Sequence, residues 1–228
     1  MIVQIRGEGG SGKSRVVREL LREHRGVVVE EPTFYVNGVG SYNITFQVWR
    51  CDGDLYVLGD YNLDYVEGEY DPHNKDKGSG GDKINGEISR LVMRHYARTS
   101  QTGHHCIWES KRGSTEPRLR GTTAAKAKAY DEWRDEIREL GIVWAVLDTP
   151  REVALANTFE RRKERRAKPK PDPPDQRNHE YVHSIKNKGA EAGIRVVDID
   201  YKHAYVELHE LLVSGGWECE RHAALAPR

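Results

Sequence analysis

Three observations in this sequence predict an α/β fold with a mainly parallel sheet flanked by helices. The run GEGGSGKS (Gly7 to Ser14) stands between a short apolar strand and an amphipathic helix. Strand-like and helical runs alternate after it, and the strand-like runs are largely apolar rather than alternating. Apolar strands of this kind are buried on both faces, as in a parallel sheet whose crossover helices cover both sides. At 228 residues the chain can bury an ample core, and one domain over 1–213 with a tail over 214–228 is expected.

Taken in order, Ile2 to Arg6 reads as the first strand. KSRVVRELLREH follows as a helix with Val17, Leu20, Leu21 and His24 on one face. Val27 to Glu30 reads as a second buried strand. NITFQVWRCDGDLYVLGDY reads as two strands joined at Asp52-Gly53, a good hairpin dipeptide, and this hairpin interrupts the βα rhythm. Residues Tyr61 to Gly81 are rich in Gly, Asp and Asn and read as a long loop, so a hairpin and loop insert is placed at about 40–82. A helix follows over Lys83 to Thr99, with Ile84, Ile88, Leu91, Val92 and His95 at helical spacing. HHCIWES is a short strand ending at Glu109, TTAAKAKAYDEWRDEIREL a helix, and GIVWAVLDTP a strand ending at Asp148. The helix after Pro150 runs into paired arginines, and KPKPDPPD breaks it as a proline-stiffened loop. Together these form a lid segment over about 161–178. Another helix, the strand IRVVDID and a helix over Ala204 to Val213 complete the pattern.

The loop fits G-x-x-x-x-G-K-[ST]: Gly7, Gly12, Lys13 and Ser14 hold the fixed positions, and Glu8, Gly9, Gly10 and Ser11 lie between them. Glycines let backbone N–H groups turn inward around phosphate oxygens. Lys13 is placed to reach the β and γ phosphates of ATP, and the Ser14 hydroxyl to hold Mg²⁺. The helix N-terminus adds its positive dipole end to this anion site. Ligands of parallel sheets sit at the carboxyl ends of the strands. There the sequence also puts Glu30, Glu31, Glu109 and Asp148, which are expected to converge on one phosphate.

Formal charge is zero, with 36 basic and 36 acidic residues, but the charges are segregated. Asp52 to Asp82 holds nine carboxylates against two lysines, whereas Arg161 to Lys170 holds seven basic residues against Glu164 alone. Lys111 to Lys128 adds six bases against Glu116. Such runs are commonly solvated faces; beside a phosphate loop they point to a polyanionic partner. Cys51, Cys106 and Cys219 form no C-x-x-C pair and are expected as buried free thiols. With no apolar run long enough to span a membrane and a first strand that leads straight into the loop, no signal peptide is expected, and a reducing cytoplasm is. Trp49, Trp108, Trp133 and Trp144 occupy apolar, core-like positions, while Tyr42, Tyr61, Tyr65 and Tyr70 are the better candidates for stacking on a base. His104 and His105 lack a third ligand at metal spacing.

GEGGSGKS, the step EEPT, the strand end WES and the LDTP strand with its arginine-paired helix resemble P-loop kinases of the nucleoside and nucleotide kinase type, over nearly the whole chain. VLGDY, GGDK and LDTP...RRKERR further resemble the bacteriophage kinases that phosphorylate 5-hydroxymethyluracil within DNA during thymidine hypermodification, a step that would protect the viral genome from restriction. The resemblance implies a P-loop NTPase fold, ATP and Mg²⁺ as cofactors, DNA containing 5-hydroxymethyluracil as partner, and a host cytoplasm as the setting. It gives Lys13 and Ser14 their electrostatic and metal roles, and Glu31, or the equally placed Glu30, the position beside the acceptor hydroxyl. Glu109 takes the acidic position at the end of the third core strand, and Arg161 and Arg165 that of lid arginines closing over the phosphoryl group. ESKR departs from the family, where Arg often follows the acidic residue directly, and this leaves Arg112 without a role.

Phosphoryl transfer is mostly positioning and charge stabilisation, so a cradle, a metal, cationic fingers and one carboxylate suffice. Asp82 and Asp60 are further candidates for that carboxylate; each also has a neighbouring Gly and the chemistry of a turn. Arg162 and Arg166 form a second i,i+4 pair with Glu160 or Glu164 as partners. Two other readings stand beside the DNA kinase: a kinase of a free nucleoside, nucleotide or other small metabolite, and a nucleotide switch. The switch ranks last, because NKDK at Asn74 lies in an acidic loop rather than after a core strand.

Overall fold

The computed structural model describes residues 1–36, 42–64, 104–109, 123–164 and 177–219. Its strands are β1 (Ile2–Arg6), β2 (Val27–Glu30), β3 (Thr33–Val36), β4 (Tyr42–Thr45), β5 (Val48–Cys51), β6 (Leu55–Leu58), β7 (His105–Glu109), β8 (Ile142–Asp148) and β9 (Arg195–Asp200). The helices are α1 (Lys13–Glu23), α2 (Thr123–Glu139), α3 (Arg151–Glu164), α4 (Arg177–Glu191) and α5 (Ala204–Ser214). Seven strands form one sheet in the order β2-β5-β6-β7-β1-β8-β9. The five from β6 to β9 are parallel, and β5 is antiparallel to both of its neighbours. The protein is thus α/β, with a mostly parallel mixed sheet flanked by helices, an arrangement compatible with a P-loop fold.

The central strands β1 and β7 are buried at every residue. On one face, Val16, Val17, Leu20 and Leu21 of α1, with Leu208 and Leu212 of α5, cover Val3, Ile5, Val57 and Ile107. Each such side chain contributes roughly 2 kcal/mol by leaving water, which is what fixes α1 against the sheet. On the other face Trp108, Trp133 and Trp144 pack with Ile137 and Ile185. All three cysteines are free and buried, and burial pushes the Cys51 thiol up to about 12.

One sequence expectation is corrected here, while the hairpin joined at Asp52-Gly53 is present as expected. The valine run of β2 is a sheet edge rather than a buried strand, with Val27, Val28 and Val29 at 58%, 41% and 48% exposure. The hairpin β5–β6 belongs to the main sheet, because β6 pairs with β7, and only β3 and β4 form a separate ribbon. The start of the tail is packed: Trp217 is buried and donates its indole N–H to the Asp52 carbonyl at 3.0 Å, closing the chain over the β5–β6 turn. Trp49, Trp108, Trp133 and Trp144 are buried as expected. The expected helix over 83–99 lies outside the described residues. Among the described residues no helix is long and apolar enough to cross a membrane.

Candidate functional site

The loop from Gly7 to Ser14 leaves the carboxyl end of β1 and runs directly into α1. Gly10 (φ 86°) and Gly12 (φ 93°) take left-handed conformations that a side chain resists. At Gly10 space also demands glycine, because a Cβ there would come 2.2 Å from the Ala154 carbonyl oxygen. The loop therefore lies flat on the first turns of α3. Side chains from that direction hold its carbonyls: Thr149 Oγ1 donates to Ser11 O at 2.9 Å and Asn157 Nδ2 to Gly10 O at 2.9 Å, while the Thr158 hydroxyl, with one proton to give, lies 3.2 Å from Gly9 O and 2.8 Å from Ala154 O. In a trans peptide the C=O and the following N–H point in opposite directions. Fixing these carbonyls thus turns the N–H groups of Gly10, Ser11 and Gly12 away from the fixing side chains, although Ser11 N–H bonds back to Glu8 O at 3.2 Å.

Lys13 Nζ donates to Gly7 O at 2.8 Å and Glu8 O at 2.6 Å, and lies 3.3 Å from Ser11 Oγ. One residue on, the buried Ser14 hydroxyl lies 2.8 and 2.9 Å from the two carboxylate oxygens of Glu109. β7 lies beside β1 in parallel, with Ile5 level with Glu109, so the acid at its end comes up behind the loop. Glu109 is itself only 3% exposed. Ser14 and Glu109 together offer three oxygens of the type that hard divalent cations take. The loop N–H groups, the Lys13 ammonium and the start of α1 are donors of the type that suits an anion.

The structure brings Ser14 and Glu109 together next to Lys13 and sets Glu30 and Glu31 apart from them. Glu30 and Glu31 are exposed at the end of β2, with β5 and β6 between that strand and β7. At about 4.8 Å per strand this is a separation of roughly 14 Å from the Glu109 strand. Glu31 accepts from Gln47 Nε2 at 3.3 Å. Arg161 lies in the last turn of α3; Asp82 and Arg165 fall outside the described residues. Tyr61 is no stacking platform. It is buried beside Glu109 and Arg18, and burial first, then the Glu109 charge, holds its phenol well above the ordinary value. His105 sits 3.2 Å from the Met1 amine, and burial lowers its pKa.

Sequence reading missed Thr149, Asn157 and Thr158. The available signal was the register of Ala154, Asn157 and Thr158 at i, i+3 and i+4, one helix stripe that mixes a small residue with polar ones. It also missed Asp200, His203 and Glu207, the one group at metal-like spacing among the described residues. These three serve as a turn: Asp200 N donates to Glu207 at 2.7 Å, and Lys202 N and His203 Nδ1 both reach the Asp200 carboxylate. Those contacts, the Lys202 N–H first, lower the Asp200 pKa.

No protein-family model matches the chain, and no curated protein matches it.

Proposed function

We propose that the chain is a P-loop phosphotransferase that moves the γ-phosphoryl group of ATP to an alcohol. The observation that carries this reading is the buried Ser14 hydroxyl set against the Glu109 carboxylate directly behind a complete glycine-lysine-serine loop. In the particular form we favour, the alcohol is the hydroxymethyl group of 5-hydroxymethyluracil in DNA. The motif resemblance supports that acceptor, as do two basic segments that a small acceptor gives no reason to expect.

The residues divide the work as follows. Backbone N–H groups of the loop and the α1 terminus cradle the phosphates, and Lys13 exchanges its loop carbonyls for β and γ oxygens. Ser14 and Glu109 would hold Mg²⁺, which supplies charge neutralisation on the phosphates when bound. Thr149, Asn157 and Thr158 keep the cradle rigid, so its dipoles need no rearrangement as charge moves. The arginines around Arg161 and Arg165 are assigned to close over the transferring group, and the basic segments to track DNA phosphates.

Transfer of label from γ-labelled ATP with Mg²⁺ tests the reading. The acceptors are DNA containing 5-hydroxymethyluracil, the same DNA with thymine, and free nucleosides and monophosphates. Label is expected on the hydroxymethyl DNA alone, and Lys13→Ala should reduce it a hundredfold or more, the order seen when a transition-state donor is removed. Label on a free nucleotide alone would make the chain a small-molecule kinase; no label on any acceptor would remove the phosphotransferase reading.

A further inference from the structure

Among the described residues four large apolar side chains lie exposed, and three of them are consecutive: Val27, Val28 and Val29. They make up most of β2, which pairs with β5 on one flank and is the edge of the sheet on the other. Single exposed apolar residues are ordinary, but an edge strand built of them is not, because natural edges are blunted by charge or proline. Here three β-branched side chains flank a row of backbone donors and acceptors that pairs with no described strand.

The bordering residues say what fits against this edge. The stretch reads Arg25-Gly26-Val27-Val28-Val29-Glu30-Glu31, with an exposed cation before the valines and two exposed carboxylates after them. Glu31 also accepts from Gln47 Nε2 at 3.3 Å, a neutral contact that leaves its charge uncancelled. Laid antiparallel on a second copy about Val28, the stretch sets Val27 against Val29 and Arg25 against Glu31. A register centred between Val27 and Val28 sets Arg25 against Glu30 instead. In both, valine meets valine and each end closes on opposite charges. A parallel arrangement would oppose arginine to arginine and glutamate to glutamate, which is unfavourable at both ends. A two-fold axis generates the antiparallel arrangement, with one patch serving both copies. The charge order is thus complementary to itself, which selects a second copy of this chain as the occupant.

We propose that β2 is a self-association edge through which two copies of the chain join their sheets in a weak symmetric dimer. The register of β2 on β5 shifts between Val28 and Glu30, a bulge that limits the run able to pair to a few residues. A contact this short falls below the roughly 1,000 Å² that a stable complex clears, so the dimer forms only at high protein concentration. β5 and β6 separate this edge from the strand of Glu109, and the proposal does not depend on the phosphotransferase reading.

Sedimentation of the full chain over about 1 to 500 µM, the range in which weak association shows, tests it. The mass is expected to rise from monomer toward dimer, and amide hydrogen exchange at 27–30 to slow over the same range. Val28→Lys sets like charges against each other across the two-fold axis and should keep the chain monomeric throughout, at an unchanged melting temperature. Arg25→Glu in one chain, or Glu30→Lys with Glu31→Lys in another, should each weaken the dimer about threefold or more, the scale of exposed ion pairs. An equal mixture of those two variants should restore it, since each strand then meets opposite charges. A wild-type chain that stays monomeric at every concentration would overturn the proposal and leave the edge to a strand of another protein. A dimer that Val28→Lys leaves at full strength would place the interface elsewhere and overturn it too. So would slow exchange at 27–30 already in dilute solution, which would mean that the chain covers its own edge. If Val28→Lys also lowers the melting temperature, the charge variants decide, and a mixture no stronger than either variant alone overturns the assignment.

Discussion

Two acidic strand ends read alike in this sequence and differ entirely in the folded chain. Glu109 closes β7, is 3% exposed and meets Ser14 at 2.8 Å; Glu30 closes β2 and lies open to solvent at the sheet edge. Both follow a short apolar strand. What separates them is which strand lies beside β1, and that is settled by the hairpin β5–β6, which enters the sheet between β2 and β7. Of these two acids, the one that meets the loop is the one whose strand neighbours β1.

Breaking the packed side of this comparison should have the largest effect. Gly10→Ala forces a Cβ to within 2.2 Å of the Ala154 carbonyl at a left-handed φ, so the loop must lift off α3. A cost on the order of 3 kcal/mol is expected from overpacking plus the conformational penalty. Thermal denaturation and ATP titration check it together, since both stability and affinity should fall.

Next comes the buried acid. Glu109→Gln keeps an acceptor for the Ser14 hydroxyl and removes the charge, so the fold should persist while the Mg²⁺ concentration for half-maximal transfer rises about tenfold or more, the range for disturbed ligand support. A Mg²⁺ titration of transfer activity would show this, and an unchanged midpoint would detach Glu109 from the metal.

The open end sharpens the contrast by how little it should do. Glu30→Gln is a surface change on an edge strand, expected within about 0.5 kcal/mol of wild-type stability. Transfer activity is the decisive readout: a large loss there would mean that β2 reaches the acceptor despite its place in the sheet.

How much of this was legible beforehand depends on the range of the interactions. The strand–loop–helix of residues 2–23 could be read because its causes are local: apolar spacing, glycine conformations and a fixed motif. The strand ending at Glu109 was equally plain, for the same reason. By contrast, the exposure of Val27 to Val29 could not be read, since a run of valines looks the same at an edge as in a core. Nor could the contacts from Thr149, Asn157 and Thr158, which serve a loop about 140 residues away along the chain.

By itself, then, the sequence determined the loop, the helix that follows it, the apolar strands and the separation of acidic from basic segments. These rest on backbone preference and side-chain burial within a few residues of each other. Only the tertiary structure decided that Ser14 meets Glu109, that α3 braces the loop, and that Glu30 is left at the sheet edge. Strand order is a choice among packings with similar local energies, and it is made by which faces and edges the whole chain can bury at once.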